Sequence, residues 1–174
     1  MDLSYLGENI SFIFVARKLM LVFAAGILYL TYRLGKALYN TDVGLISALF
    51  LSYTVMFLEK TLEVRPDNGA VAFWLLGLLC FVKGVREQRL YWYFFAGLAI
   101  SSSMMFTQKS IFALAGLALA WLWSYLDRRL GISFLQNLRR TAVFTAGLVL
   151  PMGLTTLYFL SHGGVYEFIN FNFF

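Results

Sequence analysis

Long apolar runs alternate with short polar segments along the whole chain. A transmembrane helix needs about 20 apolar residues to cross a bilayer core of ~30 Å. The third run, Ala70–Val82, is too short to cross alone, so we expect its helix to continue into the residues on either side. The alternative is a re-entrant segment that enters the membrane without crossing it. The pattern predicts an all-α, polytopic transmembrane helical bundle of six spans, near Ile10–Tyr32, Val43–Leu58, Ala70–Val82, Leu90–Phe106, Ile111–Leu126 and Thr141–Leu160.

Small and amphipathic positions add detail to this pattern. The serines at 101–103, and the glycines at 77, 97, 116 and 147, are of the kind that lets membrane helices pack closely; the serines can also bond back to backbone carbonyls. The segment Ile132–Arg140 has apolar residues on one side and polar residues on the other, which predicts a helix lying in the membrane interface.

Loop charges orient the six predicted spans. Nine Lys and Arg residues fall in the loops on one side, which is therefore predicted to be cytoplasmic. The other side receives five basic residues and six acidic ones. Both ends of the chain, and the acidic loop Glu59–Asn68, are then extracytoplasmic.

Composition supports a membrane setting and limits the chemistry. Of the 174 residues, 60% are hydrophobic and 13% are charged, with a mean hydropathy of +0.74. The net charge of +5 is spread over separate loops and forms no basic face, so we expect lipid partners and no nucleic acid. Cys80 is the single cysteine and His162 the single histidine, so neither a disulfide within the chain nor a metal site is assigned.

The densest charge lies in the loop Glu59–Asn68, where five of ten residues are ionisable. Proline fits the first turn of a helix, so the next helix is predicted to begin at Pro66. One interpretation of Asp67 is a capping or dipole partner at that helix start. The other is that Asp67, with Glu63 or Glu59, orients a sugar hydroxyl, binds a cation or takes a proton at the lipid–water boundary.

Other cations lie close to the same outer edge. Arg17 and Lys18 are inside the first predicted span, near enough to its outer end for their side chains to reach the interface. Consecutive helical positions point about 100° apart, and we take Arg17 as the one facing the bundle. Lys109 occupies the short connection between two spans on the outer side, where it either ends a span or meets an anionic ligand.

The order of these motifs resembles a known superfamily. Five short motifs occur in a fixed order along the chain: Leu6-Gly7-Glu8-Asn9, Ala16-Arg17, Tyr32-Arg33-Leu34-Gly35, Glu63-Val64-Arg65-Pro66-Asp67, and a span from Ala96-Gly97 to Thr107-Gln108-Lys109. This series resembles the polytopic GT-C glycosyltransferases, in particular proteins similar to dolichyl-phosphate-mannose protein mannosyltransferases and lipid A aminoarabinose transferases. The resemblance covers most of residues 6–126.

The resemblance implies a function and roles for the polar residues. It implies a cell-membrane transferase that moves a hexosyl or pentosyl group from a polyprenyl-phosphate carrier to a lipid, glycan or protein hydroxyl at the outer face. Arg65 and Lys109 would contact the carrier phosphate, Asp67 would position sugar or acceptor, and Glu63 and Arg17 would complete the substrate site. No cofactor beyond this sugar donor is implied.

The same resemblance bears on the extent of the chain. Members of the superfamily carry their catalytic aspartate in an outer loop that would precede these residues, so no catalytic base is assigned here. We expect a single transmembrane domain belonging to a longer glycosyltransferase, with the isolated chain inactive. The alternative to an enzyme is a small carrier or a helical assembly partner, but a carrier usually holds its charges near the membrane midplane.

Overall fold

All regular structure in the described part of the chain is helical. The computed structural model describes residues 3–107, 109–126 and 134–164. The helices in these ranges are α1 Leu3–Leu38, α2 Thr41–Tyr53, α3 Val55–Leu62, α4 Pro66–Glu87, α5 Leu90–Phe106, α6 Ser110–Leu126 and α7 Phe134–Ser161. The predicted all-α class is confirmed.

Helix length and hydropathy identify the membrane spans. Within the described residues, Ile13–Leu38, Pro66–Glu87 and Phe134–Ser161 are each long and apolar enough to cross a membrane. Helices α2 and α3 are bent by 69° relative to each other and make a fourth crossing if they count as one span. Leu90–Phe106 and Ser110–Leu119 are apolar but shorter. The chain is a helical membrane protein, while the count of six spans and the outward orientation of both ends stay predictions.

Helix α4 is longer than its apolar run. It begins at Pro66, as predicted, and its 22 residues continue to Glu87. At 1.5 Å per residue this makes a helix of about 33 Å, which matches a bilayer core. The short third run therefore does extend into its flanking turns, because the proline at the start and the polar residues at the end keep helical backbone angles.

The predicted second span is interrupted. Thr54 leaves the helical conformation, with a ψ of 116°, and the chain turns there from α2 into α3. The predicted span over Val43–Leu58 therefore consists of two helices bent at Thr54, and whether it crosses the membrane stays a prediction. The hydroxyl of Thr54 donates to the carbonyl of Phe50 at 3.0 Å, so the bend is stabilised by a local side-chain hydrogen bond.

The predicted interfacial helix is also wrong over its described part. From Phe134 onward the segment is the first part of α7, while Ile132 lies outside the described residues. Asn137 and Arg140 are buried, whereas Phe134 and Leu135 are exposed. Asn137 and Arg140 turn inward, whereas Gln136 and Arg139 stay exposed. Arg140 is buried because it meets Gln88 on the connection between α4 and α5 and Tyr93 on α5.

Helix α5 lies between α4 and α7 in the core of the bundle. Its residues Tyr93, Ala96 and Ile100 are almost fully buried and cluster with Cys80 of α4 and Phe144 of α7. Helix α1 packs on α4 through a buried stripe at Met20, Ala24 and Ile27. The spacing of three and four residues in this stripe is that of one helix face.

Glycines set the closest approaches between helices. A Cβ on Gly97 would lie 2.1 Å from the carbonyl oxygen of Phe144, and one on Gly147 would lie 2.2 Å from that of Phe94. A Cβ on Gly77 would lie 2.5 Å from Ile100. Close packing is confirmed at these three glycines, but Gly116 has open space beside it.

The three serines of α5 do different things. Ser102 bonds back to the carbonyl of Leu98 at 2.9 Å, as predicted. Ser103 donates to the carbonyl of Ala70 at 2.7 Å and lies 3.0 Å from the hydroxyl of Ser110. The buried hydroxyl of Ser101 has no hydrogen-bond partner within the described part of the protein.

This difference gives a matched pair of substitutions. We expect Ser103→Ala to lower the free energy of unfolding by about 1 kcal/mol, because it removes a buried interhelical hydrogen bond. Ser101→Ala should be neutral or stabilising, since it removes an unsatisfied polar atom at an equally buried position. Thermal unfolding of the two variants in the same detergent measures both effects, and an equal loss in both would contradict the assignment.

Candidate functional site

The charged end of the bundle is built where α3 meets α4. Only Glu63, Val64 and Arg65 separate the two helices. Asn68, in the first turn of α4, donates its amide to the carbonyl of Lys60 at 3.1 Å, and the same nitrogen lies 3.5 Å from the sulfur of Met20. One buried side chain therefore fixes the end of α3, the start of α4 and the side of α1 relative to one another.

The sequence analysis missed Asn68 as a positioning residue. A buried amide needs hydrogen-bond partners, and the helical turn after a predicted start at Pro66 is where such a residue would meet the preceding segment. That signal was present in the sequence, but the partner, a carbonyl eight residues earlier, depends on the bend at Thr54.

Arg65 bridges two carboxylates. Its Nη1 lies 3.1 Å from Oε2 of Glu63, and its Nη2 lies 3.2 Å from Oδ2 of Asp67. Lys60 approaches Oε1 of the same glutamate at 3.0 Å. The structure therefore brings together three of the predicted site residues and adds Lys60 to them, in a chain of alternating charge whose formal sum is zero.

These ion pairs are open to solvent. The side chains of Arg65, Glu63 and Asp67 are 40%, 47% and 38% exposed. Exposed pairs are weak, so they can be exchanged for a ligand at small cost. The guanidinium of Arg65 has five N–H donors and uses two nitrogens on the carboxylates, which leaves donors for a further anion.

Ion pairing fixes the protonation state of Glu63. Hydrogen bonds from Lys60 first, and from Arg65 second, hold the pKa of the Glu63 carboxyl below its ordinary value of 4.5. The contribution of this group to stability is therefore present above pH 4.5 and is lost as the pH falls through the lowered pKa. At neutral pH the carboxylate can accept hydrogen bonds from cations or hydroxyl groups but cannot donate a proton.

Lys109 lies at the same end of the bundle. It immediately precedes Ser110, whose hydroxyl meets that of Ser103, and Ser103 in turn donates to the carbonyl of Ala70 near the start of α4. The ring of Phe106 also lies against Gly69. The connection between α5 and α6 is thus held against the first turns of α4.

The ammonium group of Lys109 does not take part in the series of ion pairs that runs from Lys60 to Asp67. Its side chain is exposed, and within the described residues it takes part in none of the ion pairs. The connection itself is as short as predicted, since α5 ends at Phe106 and α6 begins at Ser110. The structure places Lys109 at the same end of the bundle as Arg65 and Asp67 but shows no direct contact with them.

Arg17 belongs to the same end as well. It precedes Met20 by three residues, so it lies about one helical turn beyond the level at which Met20 meets Asn68. It also precedes Ala24 by seven residues, which puts it on the buried side of α1, and Lys18 points about 100° away. The side chain of Arg17 is nevertheless exposed, because α4 does not extend beside it at that level.

The charged end can therefore attract an anion from the membrane boundary. Arg17, Lys60, Arg65 and Lys109 supply cations, and Glu63 and Asp67 supply acceptors for hydroxyl groups. No group of three or more His, Cys, Asp and Glu residues within the described ranges is placed to hold a metal ion.

Comparison with known proteins identifies the family. A sequence model described as dolichyl-phosphate-mannose-protein mannosyltransferase matches residues 5–160, which is most of the chain. Comparison with curated proteins and with solved structures gives no match. The matched region contains every residue assigned to the candidate site, and the predicted resemblance is confirmed. This chain belongs to the dolichyl-phosphate-mannose-protein mannosyltransferase family.

Proposed function

We propose that this chain is part of a cell-membrane glycosyltransferase that takes a sugar from a polyprenyl-phosphate carrier and gives it to a lipid, glycan or protein hydroxyl at the extracytoplasmic face. Membership of the family supports glycosyl transfer in a membrane. The observation that supports the site is Arg65, whose guanidinium faces solvent at the helix end while two carboxylates hold its orientation.

In this proposal the reaction exchanges one bond for another at the sugar. The acceptor oxygen forms a bond to the anomeric carbon, the bond from that carbon to the carrier phosphate breaks, and polyprenyl phosphate leaves. The acceptor proton passes to a base, and we assign none of the described carboxylates to that role. The charge that develops on the leaving phosphate is the group that the protein must stabilise.

The cations at the charged end suit that leaving group. Arg65 can bind two phosphate oxygens through its remaining N–H donors, and Lys109 and Arg17 add charge from the neighbouring helix ends. Glu63 and Asp67 lie beside Arg65, and their carboxylate oxygens can accept hydrogen bonds from sugar or acceptor hydroxyl groups.

The position of these charges argues against the alternative of a small carrier. Transport sites usually lie near the membrane midplane, between broken helices. In the described part of this chain the acidic and basic side chains of α4 lie at its two ends, and its middle turns are apolar. The break at Thr54 lies one short helix away from the charged end, so it serves to position α3.

The donor class can be tested in proteoliposomes with the complete glycosyltransferase to which, in this proposal, the chain belongs. We expect labelled sugar to pass from a polyprenyl-phosphate donor to acceptors in membranes of a strain that lacks the gene, with release of free polyprenyl phosphate. Nucleotide sugars supplied without the lipid carrier should give no transfer. Equal use of nucleotide sugars would contradict the proposal. Uptake of free substrate into sealed vesicles without sugar transfer would favour the alternative that the protein is a small transport protein.

A further inference from the structure

A second region of the molecule takes no part in the proposed reaction. A groove of about 350 Å³ lies between α6 and α7. Leu114, Leu117 and Trp121 line it from α6, and Phe144 and Leu148 line it from α7. Trp121 packs against Phe81 of α4 at 5.0 Å and Phe144 of α7 at 5.4 Å between ring centres, so α6 meets α7 at the floor of the groove. An apolar groove of this kind, open on one side, accepts hydrocarbon.

The groove ends beside a buried cation. Arg140 of α7 is only 7% exposed. Its guanidinium bonds to the side-chain oxygen of Gln88 and lies 5.8 Å from the centre of the Tyr93 ring. The Tyr93 ring is 5.9 Å from that of Trp121, which lines the groove. Arg140 does not itself line the groove, but Thr141, the next residue of α7, does, so the groove reaches the level of the guanidinium.

The partners of Arg140 do not neutralise it. Gln88 is an uncharged amide, the Tyr93 ring offers only its face, and within the described residues no carboxylate forms an ion pair with Arg140. A buried charge without a counter-charge is strongly unfavourable. Because Arg140 retains N–H donors after bonding to Gln88, the site is complementary to an anion.

Most of the charges around Arg140 are basic. Arg139, the residue before it, is exposed on α7, and Lys83 lies over the Trp92 ring at 4.4 Å. The acid nearby is Glu87, which accepts a hydrogen bond from the indole of Trp92 at 2.8 Å. The loop charges assign this end of the bundle to the cytoplasmic side. Basic pockets between transmembrane helices on that side bind the headgroups of anionic lipids.

We propose that an anionic phospholipid of the inner leaflet is a bound component of this protein. One acyl chain lies in the groove between α6 and α7, and the phosphate lies on Arg140. This site is at the opposite end of the bundle from Arg65 and does not depend on the proposed glycosyl transfer. The lipid would fill the space between α6 and α7 and add to the contacts that Trp121 makes with the core.

Nanodiscs of defined composition test this proposal on the natural protein. We expect the Tm to be higher by about 3 °C in phosphatidylglycerol nanodiscs than in phosphatidylcholine nanodiscs. Inorganic phosphate added to the phosphatidylcholine sample should not reproduce the shift, because the hydrocarbon chain is part of the ligand. No shift with phosphatidylglycerol, or the same shift with inorganic phosphate, would overturn the proposal.

A filled groove separates this site from general effects of lipid charge. Ala118→Phe puts a ring into the groove without changing Arg140, and it should abolish the phosphatidylglycerol shift. Ala113→Phe is the matched control, since Ala113 is exposed on α6 and does not line the groove. Retention of the full shift in Ala118→Phe, or loss of the shift in both variants, would overturn the proposal.

Two charge variants complete the test. Arg140→Gln should lose the lipid shift, whereas Arg139→Gln should keep most of it. The competing explanation is that a carboxylate of the chain, such as Asp127 ahead of α7, neutralises Arg140. In that case Asp127→Asn would lower the Tm as much as Arg140→Gln does and would make the protein newly dependent on phosphatidylglycerol, which would overturn the proposal.

Discussion

Arg65→Ala is expected to lower kcat/KM for sugar transfer by about 100-fold or more, which is the usual loss when one preorganised donor to a developing anion is removed. Membrane insertion and thermal stability should change little, because the ion pairs of Arg65 are exposed. The measurement is transfer from the polyprenyl-phosphate donor, alongside the thermal unfolding of the same sample.

Two further variants identify what Arg65 contributes. Arg65→Lys keeps the charge but cannot bridge Glu63 and Asp67 with two separate nitrogens, so we expect it to recover only part of the activity. Arg86→Ala is the matched control, since Arg86 is an exposed arginine at the other end of the same helix. Full activity in Arg65→Ala would remove Arg65 from the site, and an equal loss in Arg86→Ala would point to a general charge effect.

The sequence predicts the charged end well because its signals are local. Proline at the first helical position marks the start of α4, and the short polar connection marks the turn from α5 to α6. The alternation of the spans then places Arg65, Asp67 and Lys109 at one end. What local signals do not contain is the contact of Asn68 with Lys60 and Met20, which fixes the end of α3 and the side of α1 at the start of α4.

The sequence-based prediction of the fold differs from the structure where contacts between residues distant in sequence decide the outcome. The hydropathy of the run around Thr54 is high throughout, so it predicts one continuous span. The backbone breaks at Thr54 without a proline or glycine, and the sequence therefore gives no local signal for the bend. The polar start of α7 resembles an interfacial helix until Gln88 and Tyr93, about 50 residues earlier, provide a buried environment for Arg140. Helical periodicity shows which residues share a face, but it does not show what that face meets.

Close packing at Gly97 leads to the largest expected effect on folding. Helices α5 and α7 run parallel, because their contacts advance together from Tyr93 and Arg140 to Met105 and Thr155. At the crossing, Cβ atoms on Gly97 and Gly147 would lie 2.1 Å and 2.2 Å from backbone oxygens. A backbone cannot move aside as a flexible side chain can, so any side chain here must separate the helices.

We expect Gly97→Leu to cost about 3 kcal/mol or more, the upper part of the range for overpacked cores. Lipid gives helices no hydrophobic drive to associate, so their close contact is itself the main source of stability, and the separation also opens the cluster around Ile100. Gly97→Ala should show a smaller loss, and the free energy of unfolding in mixed detergent micelles measures both.

Gly116→Leu is the matched control for this substitution. Gly116 also lies inside an apolar helix, but a Cβ there would meet nothing within 4 Å. Both variants add the same side chain and remove the same backbone freedom, so the difference between them isolates the crossing of α5 and α7. Wild-type stability in Gly97→Leu would show that the two helices do not cross at this position. An equal loss in both variants would show that glycine is needed for its backbone and not for the contact.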